Sequence, residues 1–265
     1  MNIVRVREVE TAYAEAGQGA PVVLLHGYPF NHSLWREQVE VLQDSYRVIT
    51  PDLRGHGQTA ATDSPATMEE MAQDVAALLD ELGVKRVVMG GLSMGGYVAL
   101  AFHRLFPLRV RALVLADTRA TADTEEARRG REESAAKALS EGMGSIADAM
   151  LPKLLAPSTL ETRPDIAARV REMMTGTKPE GAAAALRGMA VRKDQTDMLP
   201  EIFAPTLIIV GSEDAITPPA DAESMRREIR GSRLIVIEGA GHVSNLERPA
   251  EFNRALVDFL DALQP

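Results

Sequence analysis

The chain has 265 residues, 45% hydrophobic and 25% charged, with a formal net charge of −9 and no cysteine. This is an ordinary globular composition and enough chain for one large α/β domain, or a domain carrying an insertion. The acidic balance argues against nucleic-acid binding, since no basic excess exists to displace counterions from phosphates. The absence of cysteine excludes disulfides, thiolate nucleophiles, iron–sulfur clusters and cysteine-ligated zinc.

Residues 1–10 are charged and lack the apolar core of a signal, and no run reaches membrane-spanning length, so a cytoplasmic address is expected. Residues 3–9 and 11–14 alternate loosely, as two short antiparallel strands at a sheet edge would. A turn follows at Gly17-Gln18-Gly19. Val22-Val23-Leu24-Leu25 is a continuous apolar run, the pattern of a strand covered on both faces, and it stops at His26-Gly27-Tyr28-Pro29. Residues 34–42 read as a helix with Trp35 in the core. Residues 46–49 form the next strand, ending in Pro51-Asp52-Leu53-Arg54-Gly55-His56-Gly57.

Residues 68–82 carry a helical pattern with Thr67 as cap and Gly83 as stop. Val87-Val88-Met89 then runs into Gly90-Gly91-Leu92-Ser93-Met94-Gly95-Gly96, and an apolar helix over 97–106 is closed by Pro107. Residues 112–115 are another buried strand, ending at Asp117. From 119 to 193 the strand signal disappears. This segment is rich in alanine and glutamate, nearly charge-balanced and punctuated by Pro152, Pro157, Pro164 and Pro179. It reads as several helices forming a lid inserted between two strands. Strand order resumes at 206–210, followed by a helix over 220–229, a strand at 234–237 and a final helix over 249–263. The expected organisation is a core of residues 1–118 and 194–265 with a helical lid of residues 119–193.

Alternating strands and helices imply a mostly parallel central sheet with helices on both faces. In such sheets the ligand site lies beyond the carboxyl ends of the strands. His26, Asp52, Ser93, Asp117, Asp214 and His242 all fall at those ends. Gly91-Leu92-Ser93-Met94-Gly95 has the spacing of a nucleophile elbow, a sharp strand-to-helix turn with serine at its apex. Glycines two before and two after the serine remove the Cβ atoms that would collide there.

Serine needs a base, and the base an orienting group. Of five histidines, His32 and His103 lie on or beside helices, His56 sits in a glycine-flanked loop, and His26 is placed to fix its own loop through its ring nitrogens. His242, in the turn Glu238-Gly239-Ala240-Gly241-His242, is the expected base. Asp214 and Asp117 both fit as the acid by chain order. Asp214 is favoured because its strand should neighbour that of His242. Asp52 is expected to anchor its own loop. The two oxyanion donors are expected to be the backbone N–H groups of Met94 and Tyr28. The Tyr28 side chain walls the acyl pocket or simply packs.

Taken together, His26-Gly27-Tyr28-Pro29, the Asp52–Gly57 loop, the Ser93 elbow, the Asp214 loop and Gly241-His242 resemble the α/β-hydrolase superfamily over nearly the whole chain. Within it the chain is similar to small carboxylesterases, 3-oxoadipate enol-lactonases and cofactor-free haloperoxidase/perhydrolases. That resemblance implies the α/β-hydrolase fold and a Ser93–His242–Asp214 triad acting on a small-molecule ester or lactone, with no cofactor and no metal. A perhydrolase using the same triad with hydrogen peroxide, and a non-enzymatic small-molecule receptor on a hydrolase scaffold, are the alternatives. Aspartate-nucleophile dehalogenases and epoxide hydrolases are disfavoured by the serine at 93. For the lid, adaptable methionines (Met143, Met150, Met173, Met174, Met189) and balanced charge point to uncharged or weakly polar short-acyl esters.

Overall fold

The apolar runs become eight strands of one sheet. The computed structural model describes residues 1–62 and 64–263, so Gln264 and Pro265, at the end of the expected core range, lie outside it. The strands are β1 (Asn2–Val6), β2 (Val9–Ala16), β3 (Ala20–Leu25), β4 (Tyr46–Pro51), β5 (Val87–Leu92), β6 (Val110–Ala116), β7 (Thr206–Gly211) and β8 (Arg233–Ile237). Their spatial order is β1-β2-β4-β3-β5-β6-β7-β8. The β1/β2 and β2/β4 pairs are antiparallel and all others parallel. Every residue of β5 and β7 is buried, which is why these strands read as unbroken apolar runs.

The break between the first two strands falls at Arg7-Glu8, earlier than the alternation suggests. Val6 pairs directly with Val9, and Arg7 takes a φ of +54° to close the two-residue turn. The helix expected over 34–42 begins as a 3-10 turn, His32–Trp35, capped by the Asn31 side chain, before α1 (Arg36–Leu42).

On one face of the sheet lie α2 (Met68–Glu81) and α3 (Met94–Leu105). Thr67 and Glu70 close a reciprocal capping box at the start of α2, Glu70 N–H to Thr67 Oγ1 at 3.2 Å and Thr67 N–H to Glu70 Oε2 at 3.1 Å. Met68, Met71, Val75 and Leu79 then face the core at helical spacing. α3 starts three residues before the apolar run at Tyr97, because the elbow serine is itself its N-cap. Against the opposite face pack Trp35, Leu42 of α1, and Phe252 and Leu256 of the last helix.

Between β6 and β7 the chain builds five helices: α4 (Glu125–Glu141), α5 (Met143–Leu154), α6 (Pro157–Thr162), α7 (Pro164–Thr175) and α8 (Pro179–Ala190). The buried residues of α4 are Ala135 and Ala138, and those of α8 are mostly small (Gly181, Ala182 to Ala185, Gly188) with Leu186 and Met189. Small side chains let these helices approach closely. Backbone and side-chain bonds seat the insertion on loops leaving the carboxyl ends of three strands: Ala66 N–H to Ala184 O (3.0 Å), Thr177 Oγ1 to Pro29 O (2.8 Å) and His242 N–H to Leu154 O (2.8 Å). The remaining helices are α9 (Pro219–Glu228), the single turn α10 (Ser244–Glu247) and α11 (Pro249–Asp261). No helix among the described residues is long and apolar enough to cross a membrane.

Replacing Thr67 by Ala removes one side of the α2 capping box. It is expected to lower the unfolding free energy by about 1 kcal/mol with no change in catalytic parameters, measured by urea denaturation.

Candidate active site

At the end of β5 the chain reverses through Ser93, held at φ +54° and ψ −114°. A non-glycine residue there costs of order 1–3 kcal/mol, so its surroundings must enforce it. Ser93 N–H donates to Ala116 O at 3.0 Å, and Ser93 O accepts from Thr118 Oγ1 at 2.8 Å and from Gly96 N–H at 2.9 Å. A Cβ on Gly95 would lie 2.1 Å from Leu25 O, so only glycine lets α3 leave the elbow against the end of β3. Ser93 itself is 9% exposed.

Asp214 and His242, the expected acid and base, follow the two strands beyond β6. Asp214 follows β7 and is buried, whereas its neighbour Glu213 is exposed. Its Oδ2 lies 2.8 Å and its Oδ1 3.0 Å from His242 Nδ1. The backbone N–H groups of Ile216 and Thr217 donate to Oδ1, and the Thr217 hydroxyl donates to Oδ2 at 2.7 Å. Burial pushes the Asp214 carboxyl up, but the His242 charge and these hydrogen bonds outweigh it and hold the group below the ordinary carboxylate range. With Nδ1–H donated to Asp214, the Nε2 of a neutral imidazole is left as an acceptor.

His242 starts from β8, three strands away from β5, and a return loop brings it back. The Ala240-Gly241 backbone passes over the end of β7, where a Cβ on Gly211 would meet Gly241 O at 2.1 Å. Two residues past His242, the Ser244 hydroxyl donates to Asp117 Oδ2 at 2.6 Å, at the end of β6 and directly beside β5. The loop therefore walks from β8 across β7 to β6, carrying His242 toward the elbow. Ser93 Oγ makes no hydrogen bond among the described residues.

Asp117, the other acid that chain order allowed, is the anchor of that loop. It is fully buried at φ +44°, and its Oδ1 accepts the Gly211 N–H at 2.9 Å. Burial and then the Asp214 charge push its carboxyl well above the ordinary range. Asp52 likewise anchors its surroundings: Oδ1 accepts from His32 N–H and Oδ2 from Gln58 N–H, at 2.7 and 2.9 Å.

The loop after β3 carries the expected second oxyanion donor. Phe30 N–H closes onto Gly27 O at 2.9 Å across a cis Tyr28-Pro29 peptide. His26 holds this loop with both ring nitrogens, Nδ1 to Gly27 O and Nε2 accepting from Leu53 N–H, each at 2.9 Å. The Tyr28 N–H has no acceptor among the described residues, and the Met94 N–H, first in α3, stands outside the intrahelical ladder. Behind the loop His56 packs against His26 and edge-on to Tyr28, its Nδ1 on Arg54 O at 3.0 Å. Burial lowers His26 to about 4; burial and the neighbouring His26 lower His56 to about 3. His103 is a buried helix residue remote from these groups. Thr217, Ser244 and Glu247 were not singled out from sequence. Thr217 is detectable in principle, because Asp-x-x-Thr is a local turn with its own side-chain bonds; the other two act only across the fold.

Above Tyr28 lies a cavity of ≈ 260 Å³ between α4, α5 and α8, walled mainly by Ala127, Gly130, Ile146, Ala149, Met150 and Leu186. Arg131 and Lys137 also border it, the first paired with Asp123 and the second with Glu141. Burial pushes the Tyr28 phenol up.

A family profile described as the alpha/beta hydrolase fold matches residues 20–249. The chain belongs to the α/β-hydrolase family. Among its relatives, 3-oxoadipate enol-lactonase 2 of Acinetobacter baylyi is 32% identical across 94% of this chain and 92% of its own length. A thermophilic esterase from Thermogutta terrifontis, solved with malate bound, superposes with a TM-score of 0.98 at 42% identity, covering 100% of both chains. The enol-lactonase of Burkholderia xenovorans LB400 superposes at 0.92 with 32% identity, covering 98% of this chain and 100% of that one.

Because His56 is depressed in the folded state, the unfolded chain takes up its proton first on acidification. Its contribution to stability is present above about pH 6.5 and lost as pH falls toward 3. The buried Asp117 and Glu247 carboxyls, both raised, act in the opposite sense, so the test compares variants. Between pH 7 and pH 5, His56→Gln should lose about 2 kcal/mol less unfolding free energy than wild type, measured by urea titration at each pH.

Proposed function

We propose that this chain hydrolyses small carboxylic esters or lactones through an acyl-enzyme. Ser93 attacks the carbonyl carbon while His242 Nε2 takes its proton and then returns it to the leaving alkoxide. Asp214 holds the imidazole and stabilises the imidazolium. The Tyr28 and Met94 N–H groups receive the oxyanion, and water repeats the sequence in reverse to release the acid. The observation that carries this reading is the Asp214–His242 pair, delivered by a loop that crosses the strand ends toward the Ser93 elbow. The esterase and enol-lactonase relatives favour the same substrate class.

In this reading residues 119–193 are a lid, and the apolar cavity under it receives the acyl or leaving group. Its ≈ 260 Å³ and the internal pairing of Arg131 and Lys137 favour short, uncharged groups. Turnover of short-chain nitrophenyl esters by wild type is the direct assay. Ser93→Ala should lower kcat at least about 10⁴-fold and abolish fluorophosphonate labelling, and Asp214→Asn should cost about 10⁴-fold. Equal esterase activity in wild type and Ser93→Ala would falsify the mechanism.

Trimming Met150 to Ala should shift the ratio of kcat/KM for a hexanoyl over an acetyl ester upward by about tenfold, since a methylene of pocket space is worth about 10–200-fold. An unchanged ratio would remove the cavity from the substrate path.

A further inference from the structure

Glu247 ends α10, five residues after His242, and is 1% exposed. Its carboxylate is shared between two separate pieces of backbone. Oε1 accepts the Gly241 N–H at 2.8 Å, immediately before His242, and Oε2 accepts the Ala156 N–H at 2.8 Å, between α5 and α6 of the insertion. The His242 N–H itself donates to Leu154 O at 2.8 Å. There is no space between these segments: a Cβ on Gly241 would lie 2.6 Å from Ala156 N. Burying a carboxylate is expensive unless hydrogen bonds repay it. Here burial raises the group despite those bonds. An apolar side chain here would leave the Gly241 and Ala156 N–H groups without acceptors. What the carboxylate supplies is direction, because two N–H groups must both point at it.

We propose that Glu247 is a positioning residue for His242, fixing the imidazole's backbone and the insertion to one carboxylate. The orientation of the base then depends on how the helical insertion is seated. The inference rests on His242 being the base. With Gln at 247, one oxygen becomes an NH₂ that faces a backbone N–H, so either the Gly241 or the Ala156 bond is lost while size is kept.

The experiment compares wild type, Glu247→Gln, Glu247→Asp and His242→Ala, each titrated for active sites with a fluorophosphonate and assayed on a short nitrophenyl ester. Glu247→Gln should show kcat per titrated site lowered about 10- to 100-fold, as a misplacement near 1 Å produces, with KM changed less than threefold. The rate constant for Ser93 labelling should fall in parallel, and the downfield Nδ1–H proton resonance of His242 should shift or broaden. Glu247→Asp, which retains the charge with shorter reach, should recover part of the loss and serves as the test should the Gln variant fail to fold. Wild-type kcat and labelling rate per site in Glu247→Gln, with only a lower Tm, would overturn the proposal and leave Glu247 a brace. The same holds for full activity in Glu247→Asp. Retained activity in His242→Ala would instead overturn the catalytic reading on which the proposal stands.

Discussion

One backbone crossing governs the geometry of this site. The loop after β8 has to travel back over β7 before an imidazole from that strand can approach a serine on β5, and Gly211 is where it passes. Parallel strands lie about 4.8 Å apart, so without the crossing His242 would sit more than two strand spacings from Ser93. Bonds that hold the crossing include the Gly239 N–H to Ser212 Oγ, the Glu213 N–H to Ala240 O, the Gly241 N–H to Glu247, the His242 N–H to Leu154 O and the Ser244 hydroxyl to Asp117. Each exists because a buried polar group has to find a partner.

Two carboxylates meet at the ends of adjacent strands, and their surroundings push them in opposite directions. Asp214 faces an imidazole, a threonine hydroxyl and two backbone donors and is held ionised. Asp117 has the Ser244 hydroxyl and the Gly211 N–H, but its burial and the negative Asp214 beside it win, and it is pushed up. The difference separates a carboxylate set against the imidazole of His242 from one that anchors a loop. Strain follows the same geography. Ser93 and Asp117, at the ends of β5 and β6, both stand at positive φ, where the surrounding bonds rather than local preference decide the backbone.

Between α4 and α8 the helical insertion buries mostly alanines, with Leu186 and Met189 the large exceptions. Its position is set by bonds to the loops after β3, β4 and β8. The same loops carry Tyr28, Asp52 and His242, so seating the insertion and shaping the site are one event.

The sequence by itself determined the strands of the sheet and the sharp turn at Ser93. Unbroken apolar runs in β3, β5, β6 and β7 announce strands covered on both faces, Thr67 and Glu70 announce a helix start, and Gly91-x-Ser93-x-Gly95 announces a turn too tight for side chains. These are local signals, carried by residues within a few positions of one another. Boundaries were less legible, as at Arg7 and at the start of α3, because a turn or a cap overrides propensity there. Chain order left Asp117 and Asp214 as rival partners for His242, and only the folded loops separate their environments. Thr177 on Pro29, Ser244 on Asp117 and Glu247 on Ala156 had no signature in the chain. A hydrogen bond between residues tens of positions apart depends on where two segments arrive, and that is decided by packing rather than by either segment's own sequence.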